Sequence, residues 1–329
     1  MERTRFAGPR SMRWRIMGLA VGALGLLVPA GCAAPDATEG LPPAAVAFLD
    51  PVRSSMEVVA AGVVYRSVQS GSRPWMTHLL EVDVSLCQVG FGVMGLEPQG
   101  GDRLSVPDLA RGAGPGVLAA VNGDFYTPEN LPLGVEAMAG ELRGRTSRPV
   151  FAWRPGEDPR LSDVAWQGDT LKVGDWWVIR GEPDGRTEVL AGFPALLVGG
   201  AWVGDLEQAE RPAFAAARHP RTAVGWDPER RRLWVVVADG RREGVVEGMT
   251  LPELAELFQA LGARDALNLD GGGSSTMVVD GRIVSRPSDP GGARPVVNAL
   301  VIREDPAFCQ VPAAASVPAL SVPAHVPEP

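Results

Sequence analysis

The chain has 329 residues, 45% of them hydrophobic and 21% charged, with a formal net charge of −8. That length holds one large domain or two with ample core, and the composition is that of an ordinary globular protein. The acidic balance and the lack of a basic stripe argue against nucleic acid as the partner.

Arg3, Arg5, Arg10, Arg13 and Arg15 precede an apolar run from Ile16 to Ala30. The run is short for a transmembrane helix and carries the basic flank of an export signal. Val28-Pro-Ala-Gly-Cys32 follows the pattern of a bacterial lipobox, with Pro29 where leucine is usual, so Cys32 is the expected lipidation site. Residues 1–32 then form a signal peptide, 33–54 a tether rich in Ala, Pro and acidic residues, 55–305 the folded domain, and 306–329 a disordered Pro/Ala-rich tail. The expected product is an exported, lipid-anchored cell-envelope protein, with plain secretion as the alternative. The membrane would be a partner only through the lipid. Setting Cys32 aside leaves Cys87 and Cys309, an even pair in an oxidising compartment, expected as a disulfide.

Along the domain, Val58–Tyr65 and Leu79–Leu86 read as strands. Ser105-Val-Pro107-Asp108-Leu-Ala110 opens a helix with proline near its start. Val117–Val121 is a buried strand ending in Asn122-Gly-Asp124. Pro149–Trp153, Trp176–Ile179 and Pro194–Val198 are strand candidates between Gly, Pro and Asp breaks. Arg221–Trp226 and Leu233–Ala238 form a hairpin that turns at Asp227-Pro228 and ends on Asp239. Thr250-Leu-Pro252-Glu253 is a capping box with Gly262 as the stop. The strand after it ends in Asn268-Leu-Asp270. Hairpins are expected over Gly134–Leu142 and Thr276–Val284, the second with a type I′ turn at Asp280-Gly281. The order helix, strand, Asn-x-Asp, hairpin thus occurs twice, which suggests a degenerate internal repeat with Asp124 and Asp270 at equivalent strand ends. A last strand covers Val296–Ile302.

The most informative stretch is Asp265–Met277, where Asn268 and Asp270 lead into Gly271-Gly-Gly273 and then Ser274-Ser275-Thr276. Three glycines let a backbone approach a ligand closely, and their amides with the hydroxyls form a candidate anion nest. The alternative is a tight turn with a solvated aspartate. Asp124, Asp239 and Asp270 are the candidate catalytic carboxylates, with Arg221 and Arg294 as guanidinium forks for a phosphate. No lysine follows the glycines as in a P-loop, no Gly-x-Ser-x-Gly elbow exists, and three scattered histidines offer no zinc site. Oxygen ligands for Ca²⁺ or Mg²⁺ could come only from the aspartates.

Gly248–Ala255 followed by Ala266–Met277 resembles the phosphodiester glycosidase family. The resemblance extends through Asn122–Tyr126, Pro132–Gly134, Phe193-Pro194, His219–Gly225, Arg286–Asp289 and Arg294-Pro-Val, across roughly residues 55–303. It implies a single α+β (mixed α/β) domain of mixed sheets with few helices. The implied reaction is hydrolysis of a sugar 1-phosphodiester, of the α-GlcNAc-1-phosphate type, at the glycosidic bond, with a phosphoglycan or sugar phosphodiester as substrate. Asn122, Asp124, Arg221, Asp239, Asp270, Ser274, Ser275 and Arg294 fall on the family's motif positions. Asn268, Gly271, Gly272, Gly273 and Thr276 join them as substrate-binding candidates. Two positions depart from the pattern: Ala293 stands where Glu is common, and Ser285 where Asn is common. The competing reading is a non-enzymatic, exopolysaccharide-associated lipoprotein that binds envelope glycans.

Overall fold

The computed structural model describes residues 37–96, 101–144, 146–204, 206 and 212–310. The strands Arg221–Asp227 and Arg232–Ala238 are buried almost throughout and lie inside an eight-stranded antiparallel sheet. Side chains alternate along a strand, so such a pair needs a core on each face. Val224, Trp226, Val235 and Val237 face one core; Ala223, Trp234, Val236 and Ala238 face the other.

Four helices lie among the described residues: α1 Pro43–Leu49, α2 Val106–Gly112, α3 Pro212–Ala215 and α4 Leu251–Ala260. α1 and α4 close the second core with Ala45, Leu49, Leu254, Leu257 and Phe258. Gly225 lets α4 sit close, since a Cβ there would meet the Phe258 ring at 2.5 Å.

The first core is filled from its far side by a five-stranded sheet that includes Val89–Gly95, Val117–Asn122, Met277–Val279 and Asn298–Glu304. α2 covers that sheet's outer face, setting Val106 and Leu109 against Ala120, Val278 and Ala299. The result is a helix–sheet–sheet–helix stack. A second five-stranded sheet and a three-stranded meander (Val164–Gln167, Thr170–Val173, Trp176–Ile179) form a satellite with its own core of Val150, Leu171, Val178 and Val189. The domain is α+β with few helices and is richer in strand than the sequence suggests.

Local signals map directly onto local structure. Ser105 caps α2 by accepting from the Asp108 amide, and Thr250 and Glu253 form the full capping box of α4. Gly262 follows α4 at φ +86°, and Asp280-Gly281 turns the hairpin with both residues at positive φ. Both helix–strand units are present, but Val117–Asn122 and Asp265–Asn268 enter different sheets. The Cys87–Cys309 disulfide is formed, spanning 222 residues.

Three expectations need correction. The stretch 33–54 is not a tether over its described part: α1 buries Ala45 and Leu49, and a strand starts at Pro51. Its Pro and Ala content reads as linker but serves a proline-started helix that caps a core. Disorder from 306 is wrong up to residue 310, because Phe308 is buried against Phe91 and Cys309 is covalently held. The last strand runs Asn298–Glu304 instead of Val296–Ile302. The signal segment, Cys32 and residues 311–329 lie outside the described residues.

Candidate active site

The two large sheets are tied together at their strand ends by Asn122. Its Nδ2 donates to the Asp270 carbonyl at 2.7 Å, and its Oδ1 accepts from Thr222 Oγ1 at 2.8 Å and from the Thr276 amide at 3.1 Å. The Asp270 amide returns a bond to the Gly123 carbonyl at 3.0 Å. Asn122 thus joins the motifs around Asp124 and Asp270, and at 0% exposure it acts on their backbone rather than on a ligand.

A cleft of about 400 Å³ opens beside this junction, lined among others by Phe125, Phe214, Arg221, Arg241, Asp270 and Arg294. A larger cavity of about 530 Å³ lies around Leu131, Glu136 and Arg180 and touches the family motifs at Pro132 and Leu133, with no motif carboxylate or motif arginine. Chemistry, not size, identifies the first as the candidate site, because it alone of the two contains a motif carboxylate among arginines.

The three aspartates separate by position. Asp270 lines the cleft; its Oδ1 accepts from the Gly271 amide at 2.8 Å. Burial pushes its pKa up, against the lowering effects of the Ser274 hydroxyl, the Gly271 amide, Arg294 and Arg148. The Ser274 hydroxyl is near enough to Asp270 to lower its pKa, although it falls outside strict hydrogen-bonding geometry. Asp124 is 1% exposed and does not line the cleft. Its oxygens accept the Phe125 amide at 2.7 Å and the Gly134 amide at 2.5 Å, while its own amide donates to Asn298 Oδ1 at 2.8 Å. Burial raises its pKa to about 7, opposed by Gly134, Arg148 and Phe125 and helped by nearby Glu136. Asp239 is drawn elsewhere: Oδ1 accepts the Arg286 amide at 2.8 Å, and Oδ2 lies 3.3 Å from His78 Nε2. His78 in turn bonds the Tyr65 hydroxyl at 2.8 Å. That buried chain, not the cleft, is the place of Asp239; neither His78 nor Tyr65 stands out in the sequence.

The arginines separate too. Arg221, expected as a phosphate fork, is buried, and burial lowers its pKa to about 10. Its Nε donates to the Met249 carbonyl and its Nη2 to those of Phe214 and Ala217. Nη2 thus holds the 212–217 segment and Nε holds Met249, so two of its three nitrogens are engaged, which corrects the expectation of an open fork. Arg294 forms a two-pronged ion pair with Asp289, at 2.7 and 3.1 Å, which raises its pKa. Asp289 therefore supplies the orientation that Ala293 cannot.

The glycines matter for reasons other than an anion nest. A Cβ on Gly271 would meet the Pro220 carbonyl at 2.8 Å, one on Gly272 the Arg241 guanidinium at 2.6 Å, and one on Gly273 would collide with the Arg294–Asp289 pair. Their neighbourhood is filled by protein, and the Gly271 and Gly272 amides already donate to Asp270 and the Pro220 carbonyl. Ser275 and Thr276 hydroxyls are buried without hydrogen-bond partners among the described residues. Asn268 donates to the Phe193 carbonyl at 2.7 Å and fixes that aromatic rather than a ligand. Among the described residues, no three or more His, Cys, Asp or Glu side chains are grouped to hold a metal.

A family model described as phosphodiester glycosidase matches residues 115–303, more than half of the chain. The chain belongs to the phosphodiester glycosidase family. The matched span contains every motif carboxylate and arginine above. The chain is 43% identical over 76 residues to N-acetylglucosamine-1-phosphodiester alpha-N-acetylglucosaminidase of Mus musculus, covering 23% of this chain and 14% of that protein. The Homo sapiens protein of the same name is 44% identical over 69 residues, 21% of this chain and 13% of that one. The aligned segments are thus a small part of those relatives. Among solved structures, the zebrafish catalytic domain of that enzyme, auto-inhibited by its pro-peptide, aligns with TM-score 0.51 and 21% identity over 77% of this chain and 83% of that one. A hypothetical protein from Synechocystis aligns with TM-score 0.53 and 16% identity, covering 78% and 64%. At these identities the structures establish a shared fold.

Proposed function

We propose that this phosphodiester glycosidase hydrolyses the glycosidic bond of a sugar 1-phosphodiester of the α-N-acetylglucosamine type in a bacterial cell envelope. The observation that carries the reading is Asp270, a carboxylate half sunk in a cleft whose other charged groups are arginines. The sugar comes from the names of the mouse and human relatives. A cationic cleft suits an anionic substrate, and one carboxylate there suits a positive anomeric centre. In this reading water attacks the anomeric carbon, the bond from that carbon to the phosphate oxygen breaks, and the phosphomonoester leaves with the bonding electrons. Its second pKa is about 6, so it departs with little help from an acid. Asp270 then takes the proton from the attacking water or faces the cationic centre as carboxylate. Asp124, closed behind the cleft, holds Phe125 and Gly134 in position.

The test incubates the purified protein with an α-GlcNAc-1-phosphodiester and separates the products. Free N-acetylglucosamine with a phosphomonoester, lost in Asp270→Asn by roughly 10²–10⁴-fold, is the expected outcome. GlcNAc-1-phosphate as product would move the cut to the phosphorus, and no turnover on any such diester would refute the enzyme. Export and lipid anchoring at Cys32 belong to the same proposal. The Cys32 peptide should carry a diacylglyceryl mass, and an unmodified thiol would restrict the protein to plain secretion.

A further inference from the structure

Arg148 lies outside every motif named above. Its guanidinium carbon sits 5.4 Å from the centroid of the Phe125 ring and 5.6 Å from that of Phe193. Phe214 completes the aromatic group, 6.2 Å from Phe125 and 6.4 Å from Phe193. Both stacking partners are pinned by motif residues: Phe125 donates its amide to Asp124, and Phe193 gives its carbonyl to Asn268. Phe125 and Phe214 also line the cleft that holds Asp270.

The other arginines near the cleft are engaged through their donors. Arg221 bonds three carbonyls, Arg294 grips Asp289, and Arg241 reaches Ser288. Arg148 differs, since its guanidinium lies over two aromatic rings and its N–H groups are engaged by no hydrogen bond or ion pair among the described residues. Stacking restrains the plane of a guanidinium while preserving its fork for an acceptor, which a lysine cannot reproduce. The charge of Arg148 is felt at Asp270, which lines the cleft, and at Asp124 behind it.

We propose that Arg148, held against the rings of Phe125 and Phe193, is the fork that binds the phosphate of the substrate and of the phosphomonoester product. The anion's identity rests on the hydrolytic reading above; the existence of an oxyanion site at Arg148 does not. A tetrahedral phosphate offers two oxygens to the two outer edges of a guanidinium, the arrangement that gives Arg–phosphate pairs their strength.

The experiment uses the full chain, with inorganic phosphate as the probe, in calorimetry at low ionic strength. Wild type should bind it, and Arg148→Met, which keeps an unbranched apolar side chain on the rings, should weaken binding by about tenfold or more. Arg148→Lys should fall between the two. Arg282→Met, which removes a surface partner of Glu57, should bind as wild type does. A readout without any substitution is phenylglyoxal modification of wild type: phosphate should protect the peptide containing Arg148.

Where diester turnover is present, Arg148→Met should lose kcat/KM mainly through KM, with little change on an aryl α-N-acetylglucosaminide that carries no phosphate. Equal phosphate binding by wild type and Arg148→Met, absence of binding by wild type, or labelling of Arg148 unaffected by phosphate would each overturn the inference. Arg148-dependent phosphate binding without any diester hydrolysis would refute the hydrolytic reading and leave the anion site standing. Hydrolysis unaltered by Arg148→Met would do the reverse.

Discussion

Asp124 and Asp270 are the same residue type in similar sequence surroundings, yet the fold gives them different tasks. Asp124 has the clearer thermodynamic signature. Its pKa rises from 3.8 to about 7 on folding, so folding favours the neutral form. The associated stability is complete below about pH 4 and is lost as pH climbs through about 7, a span worth on the order of 4 kcal/mol. Asp124→Asn, which has no proton to lose, should therefore flatten the fall in stability between about pH 4 and 7. It should also cost about 1–3 kcal/mol at low pH, because an amide cannot accept on both sides from Phe125 and Gly134. Guanidinium melts of both proteins across that range check it, and parallel curves would remove Asp124 as the source. The sequence marked this aspartate and the three glycines as special, but their environment depends on side chains distant in the chain. Gly272 and Gly273 meet Arg241, Arg294 and Asp289, which no local pattern reveals. Arg148 was illegible for the same reason: among many arginines it has no neighbouring motif, and its two rings come from separate segments.

At the scale of elements, information carried within a few residues was readable. The capping box of α4, the caps of α2 and the positive-φ pair Asp280-Gly281 need only their own neighbours. Partnership between strands was not readable, because Val117–Asn122 pairs with Met277–Val279 and Asn298–Glu304 from the far end of the domain. That pairing decides which motifs meet. The α4 cap supports the site indirectly: Glu253 serves Thr250 while also accepting Arg218 at 2.5 and 2.6 Å, beside the 212–219 segment. Thr250→Ala should cost about 1 kcal/mol of stability. Chemical denaturation measures this, and an unchanged midpoint would mean that Arg218 and Arg73 secure Glu253 without the cap.

For the whole molecule, the stack of two helical and two sheet layers sets the site at the junction of its two inner layers, on strands that are covered on both faces. Such a site is rigid by construction. The disulfide is the one covalent cross-link among the described residues, closing a loop of 222 residues between Cys87 and Cys309. Loop closure of that size stabilises a fold by about 2–5 kcal/mol, chiefly by restricting the unfolded chain. Cys87→Ser with Cys309→Ser should lower the unfolding free energy by that amount, and a change under about 1 kcal/mol would show that Phe308 packing alone retains the C-terminal turn. The bond gives the fold a dependence on place as well as on sequence. A copy retained where thiols stay reduced would have to hold residues 305–310 by Phe308 packing and backbone hydrogen bonds to Gln88 and Gly156, and would be the easier target for proteases at that end. The chain reaches its full durability only where it can be oxidised, so the compartment completes its folding.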